Sequence, residues 1–335
     1  MNWGIIGLGH MAKNFANSIR ELENSNLTGV SSRSFFKLIK FSYKYKLNPK
    51  YLFKDYEKLL LSKEIENIYI GTLNHTHFEL IKKCLDANKN ILCEKPLTIN
   101  LKQALEIKKK LSSVDVFFLE AIAYRSHPQI NYVIKLINEN KIGKVKKIES
   151  CFGFNAGVPN RKGRLFNKEL GGGSILDLGC YPVSMSNLIA NLNSKNENVP
   201  KISNVKGKIF DTGVDAEAEA KLEYNNGIIS KVKVSILENL KNITKIIGTE
   251  GSIKIIDPWL PKKENIIEIN KNGNIQKLKI SNNISLFAGQ IEIFEKIVKN
   301  RKLESDFHTM TIENSINCMD VMMRWKENLI SNENY

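Results

Sequence analysis

Apolar residues recur along this chain in two patterns, and the change from one to the other divides the sequence. In the first part, short apolar runs alternate with stretches that repeat every three or four residues. The runs Trp3 to Ile6, Leu27 to Ser31, Ile68 to Thr72, Asn90 to Cys93 and Val116 to Leu119 read as buried strands, with Tyr51 to Phe53 a short extended piece. The stretches Met11 to Glu23, Phe35 to Tyr45, Tyr56 to Leu61, Phe78 to Ala87, Leu101 to Leu111 and Gln129 to Asn140 read as helices. Such alternation predicts a doubly wound parallel sheet, helices on both faces. Beyond it, strand follows strand: Lys144 to Phe154, Lys206 to Ile209, Ala216 to Tyr224, Ile228 to Leu237, Thr244 to Ile247, Ser252 to Ile256, Ile266 to Ile269 and Ile275 to Ile280. Asn225-Asn226-Gly227 and Asn272-Gly273 are hairpin signals between them. Helices are expected at Leu286 to Asn300 and Thr311 to Leu329. The expected fold is an N-terminal α/β domain over residues 1–121 and a mainly antiparallel α+β domain over 122–335, whose last helix can pack back on the first.

The first strand runs into Gly7-Leu8-Gly9-His10-Met11-Ala12, which fits G-x-G-x-x-A, and an apolar helical pattern follows at Met11, Phe15 and Ile19. Gly7 permits the tight turn, Gly9 lets the backbone approach a pyrophosphate, and Ala12 lets helix and strand pack closely. The free N–H groups of the helix start face the phosphates. Glycine turns are common, but strand, turn and helix in this order read as a Rossmann dinucleotide site. After the second strand stand Ser31-Ser32-Arg33-Ser34. A carboxylate here would bind the ribose 2′-hydroxyl, whereas Arg accommodates a 2′-phosphate. Ser32, Arg33 and Ser34 include no carboxylate, so NADP is the expected cofactor ahead of NAD. His75 and His77 flank a helix start without the further ligands a metal needs, so no metal is expected. Lys95, fixed before Pro96 at the end of a strand, points to the ligand edge of the sheet.

Length and charge refine this picture. A chain of 335 residues exceeds one ordinary core. Its net charge of +15 raises nucleic acid as a partner, but the lysines are spread throughout and no basic-aromatic motif concentrates them. Nucleic-acid binding is therefore not expected, and the charge serves to steer anionic small molecules. Cys84, Cys93, Cys151, Cys180 and Cys318 are odd in number and form no C-x-x-C pair, which suits reduced thiols and a cytoplasmic protein. The first residues read as a strand rather than a signal peptide, and no apolar run approaches the roughly 20 residues of a membrane span.

A second cluster of candidate chemistry runs from Arg164 to Pro182. Ile175, Leu176, Leu178, Val183, Leu188 and Ile189 form an apolar helical stripe, and Asp177, Tyr181 and Ser184 share one polar face at i, i+4 and i+7. Gly171, Gly172 and Gly173 would allow backbone to approach a ligand. Pro182 should kink the helix near Tyr181. A core helix with one packed tyrosine fits the same spacing.

The glycine turn, Thr72-Leu73-Asn74-His75-Thr76-His77, Glu94-Lys95-Pro96 and the stretch Glu120 to Pro128 together resemble the Gfo/Idh/MocA oxidoreductase family, over nearly the whole chain. That resemblance implies a Rossmann domain followed by an open, mainly antiparallel sheet. It also implies hydride transfer between NAD(P) and a hydroxyl or carbonyl of a sugar, cyclitol or diol. It places Gly7, Leu8, Gly9, His10, Met11, Ser32, Arg33, Ser34, Thr72, Asn74, His77, Glu94 and Lys95 around the cofactor. Much of the family carries Asp-x-x-x-His where this chain has Asp177-x-x-x-Tyr181. That departure resembles the glucose–fructose oxidoreductase and dihydrodiol dehydrogenase branch, in which Tyr is the acid/base. Lys95, Asp177 and Tyr181 are then the catalytic residues, with Arg164 on a distal substrate group. A free tyrosine has a pKa of about 10, and a neighbouring Lys95 ammonium would lower it. A small-molecule substrate is the expected partner. A homodimer is expected through the C-terminal sheet, with Val232, Val234 and Ile236 covered by the second copy. The alternatives are a non-catalytic NAD(P)-binding regulatory protein and a biliverdin-reductase-like or imine-reducing enzyme on the same fold.

Overall fold

The structure, a computed structural model, describes residues 1–192, 198–303 and 308–333, and it falls into two compact units. The first comprises residues 1–98, 102–126 and 284–313, the second residues 99–101, 127–283 and 314–335.

In the first unit, β1 (Asn2–Ile6), β2 (Asn26–Ser31), β3 (Leu52–Phe53), β4 (Asn67–Ile70), β5 (Asn90–Glu94) and β6 (Phe118–Ala121) form an all-parallel sheet ordered β3-β2-β1-β4-β5-β6. The helices α1 (His10–Ser18), α2 (Phe35–Tyr45), α3 (Tyr56–Leu60), α4 (His77–Asp86) and α5 (Leu101–Leu111) lie between these strands in the chain. The strand order reverses direction beside β1, which puts the ligand crevice at the carboxyl ends of β1 and β4. Local chemistry starts the helices where the sequence allows. Ser34 caps α2 by accepting from the Lys37 amide, and Asp55 caps α3 by accepting from the Glu57 amide.

The second unit holds β7 (Val145–Gly153), β8 (Lys201–Ile209), β9 (Asp215–Glu223), β10 (Ile229–Ser235), β11 (Ile243–Gly248), β12 (Ser252–Ile256), β13 (Glu264–Lys271) and β14 (Asn274–Ser281). They form one sheet ordered β14-β13-β12-β11-β7-β10-β9-β8, antiparallel except where β10 runs parallel to β7. Both expected hairpins form, at Gly227 between β9 and β10 and at Gly273 between β13 and β14. The helices α6 (Pro128–Asn138) and α7 (Cys180–Asn191) pack on this sheet. Alternation sorts the strands. Ile148, Ala218, Leu222, Val232, Val234 and Ile246 are buried, while Glu219, Lys231 and Lys245 are exposed. Val232, Val234 and Ile236 are therefore not the outward patch expected from alternation. They are 1%, 0% and 0% exposed within the single chain, because α7 and the turn before it cover their face.

The remaining helices are α8 (Leu286–Asn300), in the first unit, and α9 (Ile312–Glu333), almost all of it in the second. Phe294 of α8 meets Trp3 at a centroid distance of 5.1 Å, and Trp3 Nε1 donates to Glu295 at 2.7 Å. Trp3 also meets Phe15, which stacks on Tyr69 at 4.1 Å. Such ring pairs contribute about 0.5–1.5 kcal/mol each beyond their buried area. Among the described residues no helix is long and apolar enough to cross a membrane.

Candidate functional site

The glycine turn sits where β1 gives way to α1. Gly7 has φ +89°, and its amide donates to the Ser31 carbonyl at 3.0 Å. A Cβ there would lie 2.5 Å from the Thr72 methyl, so the fold itself requires glycine. Gly9 is different. Its φ is −86°, and a Cβ would find no protein atom nearer than the Gly71 carbonyl at 3.7 Å. Gly9 opens α1 with no side-chain cap and no acidic residue in the first turn, which leaves the helix amides for an anion. His10 is exposed, Met11 half-buried, and Leu8 turns its side chain into the core. The residues fit a dinucleotide pyrophosphate.

Beyond β2, Ser32 Oγ accepts from the Ser34 amide and Ser34 Oγ from the Lys37 amide. Each hydroxyl keeps its hydrogen as a donor, and Arg33 is exposed beside them. Thr72 accepts from Thr76 Oγ1 at 2.7 Å, and Asn74 is buried in the 3-10 turn that leads into α4. His77 is fully buried, its Nδ1 2.9 Å from the Pro96 carbonyl, and burial lowers its pKa to about 4. The ring is therefore neutral near pH 7 and braces the Glu94-Lys95-Pro96 turn, in which the Lys95–Pro96 peptide is cis. Glu94 is buried and accepts from Tyr69 Oη at 2.5 Å, while Lys95 is half-buried. The Leu97 amide donates to Glu120 at 2.8 Å. Among the described residues no cluster of His, Cys, Asp or Glu could hold a metal.

The second unit carries the other cluster. Residues Ile175–Gly179 form a π turn that leads into α7, so the irregularity lies before Tyr181 rather than at Pro182. Asp177 lies within this π turn, while Tyr181 and Ser184 lie in α7 beyond it. Asp177 and Ser184 are buried, and Tyr181 is half-buried. Gly172 and Gly173 approach protein atoms closely. A Cβ on Gly172 would lie within 2.7 Å of three backbone carbonyls, those of Arg164, Leu165 and Asn167. That contact draws the Arg164 segment against the π turn, and Arg164 Nη1 donates to Asp177 Oδ1 at 2.5 Å. Arg164, expected on substrate, is thus engaged with the Asp177 carboxylate by a charge-assisted bond.

Tyr181 stands in an aromatic cage that its own stretch of sequence does not reveal. Its ring meets Phe152 edge-on at 5.0 Å and Trp259 at 5.9 Å, and Trp259 is pinned by a bond from Nε1 to the Cys151 carbonyl. Phe152 and Trp259 also line a cavity of about 350 Å³ with Leu260, Lys262 and Asn265. The available signal was Trp259 itself, a rare residue held between Pro258 and Pro261.

A glycine turn with an uncapped helix start, at the switch point of a 3-2-1-4-5-6 parallel sheet, defines a nicotinamide-dinucleotide-binding Rossmann unit. With the appended sheet, it places the chain in the class of NAD(P)-dependent oxidoreductases. Residues 1–121 match the oxidoreductase family's NAD-binding Rossmann fold, and residues 130–254 match the Gfo/Idh/MocA C-terminal domain. The trans-1,2-dihydrobenzene-1,2-diol dehydrogenase of Danio rerio is 31% identical over 265 residues, 78% of this chain and 76% of that protein. That of Xenopus tropicalis is 32% identical over 263 residues, 77% and 76% of the two chains. A 3-ketoreductase from Actinomadura kijaniata, solved with TDP-benzene and NADP, matches with TM-score 0.86 at 18% identity over 98% of this chain and 97% of that one. An aldose–aldose oxidoreductase from Caulobacter crescentus matches with TM-score 0.86 at 17% identity, covering 98% of each chain. The chain belongs to the Gfo/Idh/MocA oxidoreductase family and is an NAD(P)-dependent oxidoreductase.

Proposed function

We propose that this enzyme moves hydride between NADP and a hydroxyl or carbonyl carbon of a small diol or sugar-like molecule, with Lys95 and Tyr181 as its proton-transfer pair. The observation that carries this reading is the setting of Tyr181: a half-buried phenol held by Phe152 and Trp259, two residues past a π turn that fixes Asp177 on Arg164. When bound, the nicotinamide supplies or accepts the hydride. The protein contributes the proton path. Tyr181 Oη hands a proton to the substrate oxygen or takes one from it, and the Lys95 ammonium favours the phenolate. Asp177, charge-balanced by Arg164, orients the reacting hydroxyl. The aromatic walls suit a substrate with a flat or apolar body, as in the compound for which the dihydrodiol dehydrogenase relatives are named. Lys95 and Tyr181 give the protein more than a cofactor-binding regulator needs.

The test is turnover with NADP on trans-1,2-dihydrobenzene-1,2-diol and a panel of sugars and diols. Tyr181→Phe should lower kcat by about 10²-fold or more with NADP affinity nearly unchanged. Lys95→Met should cost at least as much, and the double variant little more than either single one. Near-normal turnover by Tyr181→Phe refutes its role, and full additivity makes Lys95 an independent group.

The same reading includes a homodimer. Its support is the outward face of the second sheet, which carries both signs of charge, Glu219 with Lys231 and Lys245, and where Ile266 is 41% exposed. Mixed charges let one surface complement a copy of itself across a two-fold axis. Light scattering at micromolar concentration should give twice the chain mass, and a monomer mass removes the proposal.

A further inference from the structure

Asp215, the first residue of β9, is wholly buried. Its Oδ2 accepts from Ser174 Oγ at 3.0 Å and from the Ile175 amide at 2.6 Å. Its Oδ1 lies 3.7 Å from Nζ of Lys326 on α9, a side chain that is itself only 15% exposed. Gly173, with φ +109°, passes so close that a Cβ would overlap the same carboxylate. The carboxylate is thus clamped at the start of the π turn, the segment that holds Asp177 and delivers Tyr181. Burial raises its pKa against the pull of Lys326 and the two donors, so the fold tolerates an ionisable group here at a cost. Proton transfer through Tyr181 makes no use of it.

The geometry points to Asp215 as a positioning residue. We infer that its bonds to Ser174 and Ile175, tied through Lys326 to α9, set the π register that fixes Asp177 on Arg164 and Tyr181 in its cage. The catalytic part of this inference rests on the role given to Tyr181 above; the structural part does not. A π turn is an alternative to continuous α-helix and is common at functional sites. The N–H that Asp215 takes is that of the first residue of this π turn. Losing that acceptor frees the segment to rewind, which rotates every side chain beyond it.

Protein labelled with 5-fluorotryptophan reads this directly, because its three tryptophans stand in telling places. Trp259 touches Tyr181, Trp325 lies 3.5 Å from the Cβ position of Gly179 at the end of the π turn, and Trp3 is in the first unit. Asp215→Ala should move the Trp259 and Trp325 fluorine resonances and leave that of Trp3 in place. It should also lower kcat on trans-1,2-dihydrobenzene-1,2-diol at least tenfold with NADP affinity unchanged. Asp215→Asn keeps an oxygen for Ser174 and Ile175, and should restore both resonances and at least a third of kcat. If Asp215→Ala does not fold, Ser174→Ala removes one bond alone and should give smaller shifts at the same two tryptophans. Unmoved Trp259 and Trp325 signals in the folded variants overturn the inference. So does movement of all three, which marks general loss of structure. If the two resonances move and Asp215→Asn restores them, while Tyr181→Phe proves fully active, positioning stands and the reading of Tyr181 fails.

Discussion

Gly7 and Gly9 stand two residues apart in one motif, yet the structure gives them separable tasks, and alanine substitution at each should show it. At Gly7 an alanine must hold φ near +89°, which costs about 1–2 kcal/mol for an L-residue. Its methyl would also sit 2.5 Å from the Thr72 methyl and 3.0 Å from the Gly71 carbonyl, an overpacking cost of about 1–3 kcal/mol. Gly7→Ala should therefore lose about 2–5 kcal/mol, a fall in Tm on the order of 10 °C for a unit of this size. At Gly9 the backbone is ordinary and the nearest protein atom to a Cβ is at 3.7 Å. Alanine is a poorer N-cap than glycine, but it also restricts the unfolded chain, and the two effects leave stability within about 1 kcal/mol of the parent. What the methyl fills is the space over the open amides of α1. NADPH affinity should then fall by about 1.5–3 kcal/mol, the worth of a lost bond to a charged group, or roughly 10- to 150-fold. Thermal unfolding by circular dichroism and fluorescence titration with NADPH measure the two quantities independently. A Gly9→Ala protein that binds NADPH as the parent does would refute the pyrophosphate site. One that melts as low as Gly7→Ala would refute the packing argument.

Two further outcomes are expected. NADPH should bind more tightly than NADH, and Arg33→Ala should weaken NADPH by about 1.5–3 kcal/mol while sparing NADH; equal affinities in the parent protein would contradict the role of Ser32, Arg33 and Ser34. Burial depresses the pKa of His77 to about 4, so the unfolded chain binds a proton there that the folded chain refuses. Stability from His77 is then complete above about pH 6.5 and is lost as pH falls towards 4, by up to about 3 kcal/mol. Urea unfolding across that window should show the slope, to which His127, likewise lowered to about 4 by burial, also contributes, and His77→Gln should reduce it without abolishing it.

The periodicity of apolar residues determined the elements. Phe35–Tyr45, Leu101–Leu111, Ser252–Ile256 and Leu286–Asn300 begin and end where the sequence pattern puts them, because caps, turns and the face each element buries are local properties. The glycine turn was legible for the same reason: strand, turn and helix start are consecutive, so the residues that would meet a phosphate are neighbours in the chain. The candidate site of the second unit was legible only in part. Asp177 and Tyr181 could be singled out by spacing, but their surroundings come from Arg164, Phe152, Asp215, Trp259 and Lys326, which the chain separates widely and the sheet and α9 gather. A glycine's purpose is not written in its neighbours either. Gly172 and Gly173 look as free to meet a ligand as Gly9, and only packing shows that they meet backbone carbonyls and a buried carboxylate. Val232 and Val234 were expected to face a second copy and instead lie under α7 and the turn before it, for the same reason. Alternation separates two faces of a strand, but which face is buried depends on what the rest of the chain lays across it.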